Sequence, residues 1–162
     1  MTVRVLKIVF VALVGLMALL YGLQNIANLD SAFGAVSYVV SMQEHAVYPS
    51  SLGPAIVSPL LTWTVLACII GSEIAAGLAC LGGASKMWRA RRAAAESFHA
   101  SKTLAMIGCG IGVIIWMGLF FVIGGAYFQM WQTQVGLASF NASFQFFMTC
   151  LVVLLFVHMR DD

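Results

Sequence analysis

The chain has 162 residues, of which 62% are apolar and only 9% charged, with a mean hydropathy of +0.98. A single domain of this length cannot bury so much apolar surface in water, which excludes an ordinary soluble protein and makes the bilayer part of its solvent. The net charge is only +2, and the basic residues form short clusters against apolar runs, so nucleic acid is not an expected partner.

The first apolar run, about 5–23, follows Arg4 and Lys7. Its core extends about 16 residues from Ile8, longer than the ~7–15 residues of a signal-peptide core, and no A-x-A site follows, so it reads as a membrane span. The connection 24–58 is the longest stretch without a span and opens with the polar cluster Gln24, Asn25, Asn28 and Asp30. Within it Phe33, Val36 and Val40 fall on one helical face, the spacing of a short interfacial helix. A connection this long with structure of its own is more often functional than a bare tether.

Ser58-Pro59 marks a helix start, because serine can cap and proline at the first position lacks only a hydrogen bond that would go unmade anyway. The second span runs over 59–83, with Trp63 near its outer end. Glu73 follows Pro59 by fourteen residues, about 21 Å of helix. In a hydrocarbon layer of about 30 Å this places it past the midplane, toward the cytoplasm. A bare carboxylate there costs roughly 3 kcal/mol, so Glu73 must face the bundle. A neutral partner such as Thr149, or a group from another chain, is expected to meet it. A structural tie, a proton- or cation-coupled transport role, and a contact to a partner subunit or bound lipid are the three readings.

The basic loop 84–102 carries five of the eight Lys and Arg, and Arg89, Arg91 and Arg92 suit anionic lipid headgroups. All eight basic residues fall on one side of the membrane in this topology, which places both termini in the cytoplasm. In the third span, about 103–125, GCGIG at 108–112 follows no strand and is no dinucleotide fingerprint. Gly108 and Gly112, and likewise Ser72, Ala76 and Cys80, instead form small-residue faces for close helix packing. The fourth span is about 140–157. The four cysteines lie in apolar runs and read as small packing residues rather than disulfides or metal ligands, and no metal site is visible. His99 and His158, near the cytoplasmic ends of two spans, leave a b-type haem as a distant alternative. Asn141-Ala-Ser143 matches a glycosylation sequon by chance.

Two stretches carry a resemblance. In 25–42 the pattern is N-I-x-N-x-D, then F-x-x-V and V-x-S-M; in 124–132 it is GGAYFQMWQ. With Glu73 in the second span and Lys102 opening the third, the chain resembles a bacterial family of predicted small integral membrane proteins of unknown function (domain of unknown function 2165). The resemblance implies an outer-face cap involving Asn25, Asp30, Met42, Gly125, Trp131 and Gln132. It also marks departures, with Ala126, Tyr38 and Gln43 standing where the family commonly has glutamate, histidine and aspartate. A chain that has lost these polar groups fits binding or scaffolding better than catalysis.

The expectation is therefore an all-α, four-span membrane bundle with a capped outer face. It reads as a non-catalytic accessory or scaffold subunit of a bacterial inner-membrane assembly, with lipids and other membrane subunits or its own copies as partners. A small oligomeric transporter centred on Glu73 is the alternative, and a haem-bearing anchor the third.

Overall fold

The structure, a computed structural model, describes residues 2–161. Four helical stretches are long and apolar enough to cross a membrane: Thr2–Ala27 (α1), Pro59–Ala90 (α3), Ala95–Tyr127 and Gln134–His158 (α6). The third comprises Ala95–Ser101 (α4), Thr103–Val113 (α5) and a π-helical continuation, Ile114–Tyr127. A short helix, Leu29–Val40 (α2), follows α1, and among the described residues there is no strand. α1 packs chiefly on α3, α3 on α5 and α5 on α6, which returns to α1 and closes the bundle.

Every span extends beyond its predicted limits. The second shows why: alanine, leucine and methionine favour helix, so α3 continues through the basic residues to Ala90. Its start falls at Ser58-Pro59 as predicted, but the serine makes no side-chain cap and instead accepts the Thr62 N–H through its carbonyl at 3.0 Å. α6 starts earlier than predicted because Thr133 caps it, its hydroxyl accepting from the Gly136 N–H at 3.1 Å.

Close packing on small residues holds the middle of the bundle. A Cβ on Gly108 would lie 2.6 Å from the Cys80 backbone nitrogen, and one on Gly112 would lie 2.7 Å from Cys150 Sγ. Gly77 meets Leu19 of α1 in the same way, at 2.8 Å. Ala76 is buried in this seam and Ser72 is half-buried beside it. The predicted residues at 76, 80, 108 and 112 thus lie between α3, α5 and α6, while Gly77, which the sequence reading did not single out, adds the close approach of α1. Trp116 is buried and meets Phe146 edge-on. Cys80, Cys109 and Cys150 are packed inside, but Cys68 is exposed on α3, contrary to the expectation that all four cysteines pack.

All eight Lys and Arg sit at one end of the bundle, the basic end. The opposite end carries 41–58 and the turn 128–133 and is called the cap end.

Candidate functional site

The cap is tied together by one glutamine. Gln132 Oε1 accepts from the backbone N–H groups of Val47 and Tyr48 at 2.9 and 2.8 Å, and its Nε2 donates to the Tyr48 carbonyl at 3.3 Å. Gln129 Nε2 reaches the Ser50 carbonyl and the Tyr127 hydroxyl reaches that of Pro54, both at 3.4 Å. Tyr48 meets Trp131 edge-on. Met42, Glu44 and Gln129 adopt positive φ (54°, 59° and 50°), a conformation costing a non-glycine residue roughly 1–2 kcal/mol. Three such residues in one cap are strain that the surrounding ties must hold, and strain of this kind gathers at functional sites.

Replacing Gln132 with alanine is expected to release the loop without unfolding the bundle. At about 0.5–1.5 kcal/mol for each hydrogen bond lost, amide hydrogen exchange at Val47 and Tyr48 should accelerate about tenfold or more, with little change in the global melting temperature.

Two cavities lie at this end. A polar cleft of about 730 Å³ is lined by Ser41, Met42, Glu44, His45 and Ser51 among others. Its Glu44 carboxylate accepts from the Tyr38 hydroxyl at 2.6 Å, and that bond raises the phenol's pKa above its usual 10.0. Beneath it is an apolar cavity of about 310 Å³, lined by α2 (Val36, Val39), α3 (Val65, Ile69) and the π-helical stretch (Phe120, Ile123). α2, the short helix expected in the first loop, packs along α3, Phe33 stacking on Trp63 at 4.6 Å, and turns its apolar face into the cavity.

Glu73 is 2% exposed and accepts a hydrogen bond from Asn25 Nδ2 at 2.9 Å. Two sequence expectations change here. Asn25 is not part of the cap but the partner of Glu73. Thr149 is not that partner: it is exposed and donates to the Gln145 carbonyl of its own helix at 2.8 Å, which lets a hydroxyl face hydrocarbon without an unsatisfied proton. The depth of Glu73 changes too. Asn25 lies two residues from the end of α1 and eighteen beyond Lys7, about 27 Å along the axis, so Glu73 belongs to the cap half. Counting from Pro59 misplaced it because the first turns of α3 run beside α2, past the end of α1.

Of the other predicted cap residues, Asp30 is exposed on the first turn of α2. Gly125 is buried, with Phe140 where its Cβ would be (2.5 Å). Met42, Trp131 and Gln132 belong to the cap. Gln43 and Ala126 are exposed on it.

Sequence reasoning missed a cluster at the basic end. Lys7 and Lys102, 1% and 0% exposed, both grip Asp161 and both donate to the Met159 carbonyl, at 2.6 and 2.9 Å. Two cations thus cap the C-terminus of α6, where the helix dipole favours them. The Phe98 ring lies against Lys102 and Arg4, and Arg4 donates to the carbonyls of Arg91 and Ala93 at 3.2 and 2.7 Å. Arg91 stacks on Trp88 at 4.0 Å, while Arg89 and Arg92 are exposed. The His99 and His158 rings are 6.3 Å apart with a tilt of 59° and line neither cavity. Among the described residues no three His, Cys, Asp or Glu side chains converge as metal ligands.

The sequence profile of a family described as predicted small integral membrane protein (DUF2165) matches residues 3–160. The chain belongs to this family. The match spans all four apolar helices, so the resemblance read from 25–42 and 124–132 extends over nearly the whole chain, and the chain is an integral membrane protein. No curated protein and no solved structure matches it.

Proposed function

We propose that this family member is a non-catalytic accessory or scaffold subunit of a bacterial inner-membrane assembly, with both termini in the cytoplasm. The observation that carries this reading is how its buried ionisable groups are used. Glu73 ties α3 to α1 through Asn25, and Lys7 and Lys102 tie α1 and the start of α5 to the end of α6 through Asp161 and Met159. These are fastenings between helices. The gathering of all basic residues at one end supports the orientation, and exposed Arg89 and Arg92 suit anionic headgroups on that side. Other membrane subunits, together with any copies of this chain, are the proposed partners.

The experiment is purification of the tagged protein from its own host in mild detergent, followed by native mass spectrometry. Foreign membrane subunits in fixed stoichiometry are the expected result; the chain alone, or only copies of itself, overturns the accessory role.

The second reading, a small oligomeric proton-coupled transporter, is favoured by one placement: Ile69, one turn from Glu73, lines the apolar cavity. The two readings separate on Asn25. If Glu73 is a fastening, Asn25→Ala leaves a buried carboxyl without its donor and costs about 1–3 kcal/mol, and adding Glu73→Leu recovers most of the loss in thermal unfolding. If Glu73 carries protons, Glu73→Gln abolishes proton uptake by proteoliposomes while the fold survives.

A further inference from the structure

The polar cleft and the apolar cavity are contiguous. Ser41 and Ala55 line the cleft, Val40 and Ile56 line the cavity, and the Ile56 N–H donates to the Val40 carbonyl at 2.8 Å in the wall they share. Together they form an amphipathic site, with an apolar floor under a polar roof.

The floor suits a hydrocarbon chain. Ser139 is its one polar lining residue, and its hydroxyl is engaged by the Val135 carbonyl at 3.3 Å, so a water entering would find almost none of the two to four partners it needs. A cavity of about 310 Å³ is at the lower end of the ~300–1,000 Å³ range of ligand sites. Ala35, Ile123 and Val135 at its edge are exposed, so it opens on the flank of the bundle, where acyl chains surround an integral membrane protein. One wall is the π-helical stretch, where the Phe128 N–H donates to the Ile123 carbonyl five residues back. π-helical turns widen a helix and occur frequently at functional sites.

The roof selects the headgroup by charge. Every Lys and Arg lies at the other end of the molecule, while Glu44 lines the cleft, fixed by Tyr38. An anionic headgroup would meet a carboxylate with no Lys or Arg to balance it; an ammonium would meet its counter-charge. We propose that this site binds one amine-bearing phospholipid, of the phosphatidylethanolamine class, with an acyl chain between α2, α3 and the π-helical stretch and its ammonium at Glu44.

The test uses the full-length protein in nanodiscs of equimolar phosphatidylethanolamine and phosphatidylcholine, released into native mass spectrometry to count and weigh the retained lipids. One phospholipid per chain is expected, with phosphatidylethanolamine favoured about three- to fivefold, the strength of one hydrogen bond, because its ammonium donates N–H to the Glu44 carboxylate and the equally charged choline has none to give. Ala35→Trp and Val65→Trp, which fill the cavity from its rim and from its floor, should each lower retention about tenfold. Glu44→Gln, on the exposed roof, should keep the lipid and erase the headgroup preference. Retention undiminished in both cavity-filling variants overturns the proposal, since surface lipid would survive them, and so does no retained phospholipid or a free fatty acid in its place. A preference that survives Glu44→Gln overturns the assignment of the headgroup to the cleft.

Discussion

Asp161→Ala is expected to be among the most damaging single substitutions in this protein. Lys7 and Lys102 are 1% and 0% exposed, and Asp161 is the acidic side chain that the structure pairs with both. Removing it leaves two buried ammonium groups sharing the Met159 carbonyl. Breaking a buried ion pair from one side typically costs about 3–5 kcal/mol, because the remaining charge is stranded, whereas replacing the whole set by apolar residues is often neutral. The expected pattern is therefore a large fall in melting temperature for Asp161→Ala in detergent, with substantial recovery when Lys7→Met and Lys102→Met are added. A single variant as stable as the unaltered protein would show that the cluster holds nothing, and a triple variant no more stable than the single would show that stranded charge is not the cause of the loss.

The same group sets an acid limit. Burial alone would push the Asp161 carboxyl up, but hydrogen bonds from Lys102 and Lys7 and their charges outweigh it and hold the carboxyl below its ordinary 3.8. The folded form therefore releases this proton more readily than the unfolded form does. Its stabilising contribution is complete above pH 3.8 and fades as the pH falls through the lower folded value. The pH dependence of unfolding below 3.8 should flatten in the triple variant.

What the sequence made legible was periodic or local. Four apolar runs of spanning length, the Ser58-Pro59 start, the small residues at 108 and 112 and the one-sided distribution of Lys and Arg are each visible within a few turns of chain. The two fastenings were not, because they depend on helix register across the bundle: Asn25 meets Glu73 across 48 residues, and Lys7 meets the Met159 carbonyl across 152. The rule that places Lys and Arg on one side of a membrane gives a side and not a depth, so it does not announce that Lys7 and Lys102 are buried. Thr149 failed as a partner because composition cannot tell which face of α6 turns inward. The apolar cavity was invisible for a further reason. It is space left between side chains, shaped by an α2 that leans on α3 and by a π-helical wall that no apolar periodicity announces.

Where two helix backbones touch, one methyl group should be enough to separate them, and Gly83 is the sharpest case. A Cβ built there would lie 2.4 Å from the Ala105 nitrogen and 2.6 Å from its Cα. Both are backbone atoms, so no rotamer relieves the contact and α3 must move away from α5. Gly83→Ala thus sets two effects against each other. Alanine gains at most about 1 kcal/mol over glycine in helix propensity, and less where the separated helices stay helical in the membrane. Overpacking a rigid contact costs about 1–3 kcal/mol and occasionally more; with backbone on both sides the upper end applies, so the packing loss wins. Gly110→Ala is the matched comparison, because a Cβ there meets nothing within 4 Å and only propensity acts. The two substitutions, identical in chemistry and a few turns apart in the same bundle, should move the melting temperature in opposite directions. Cys80 and Cys109, with Sγ atoms 3.9 Å apart between the same two helices, supply a direct reading of the gap. Oxidative crosslinking of this pair should persist in Gly110→Ala and fall sharply in Gly83→Ala. A crosslink that forms equally well in both would mean that α3 and α5 are not in backbone contact.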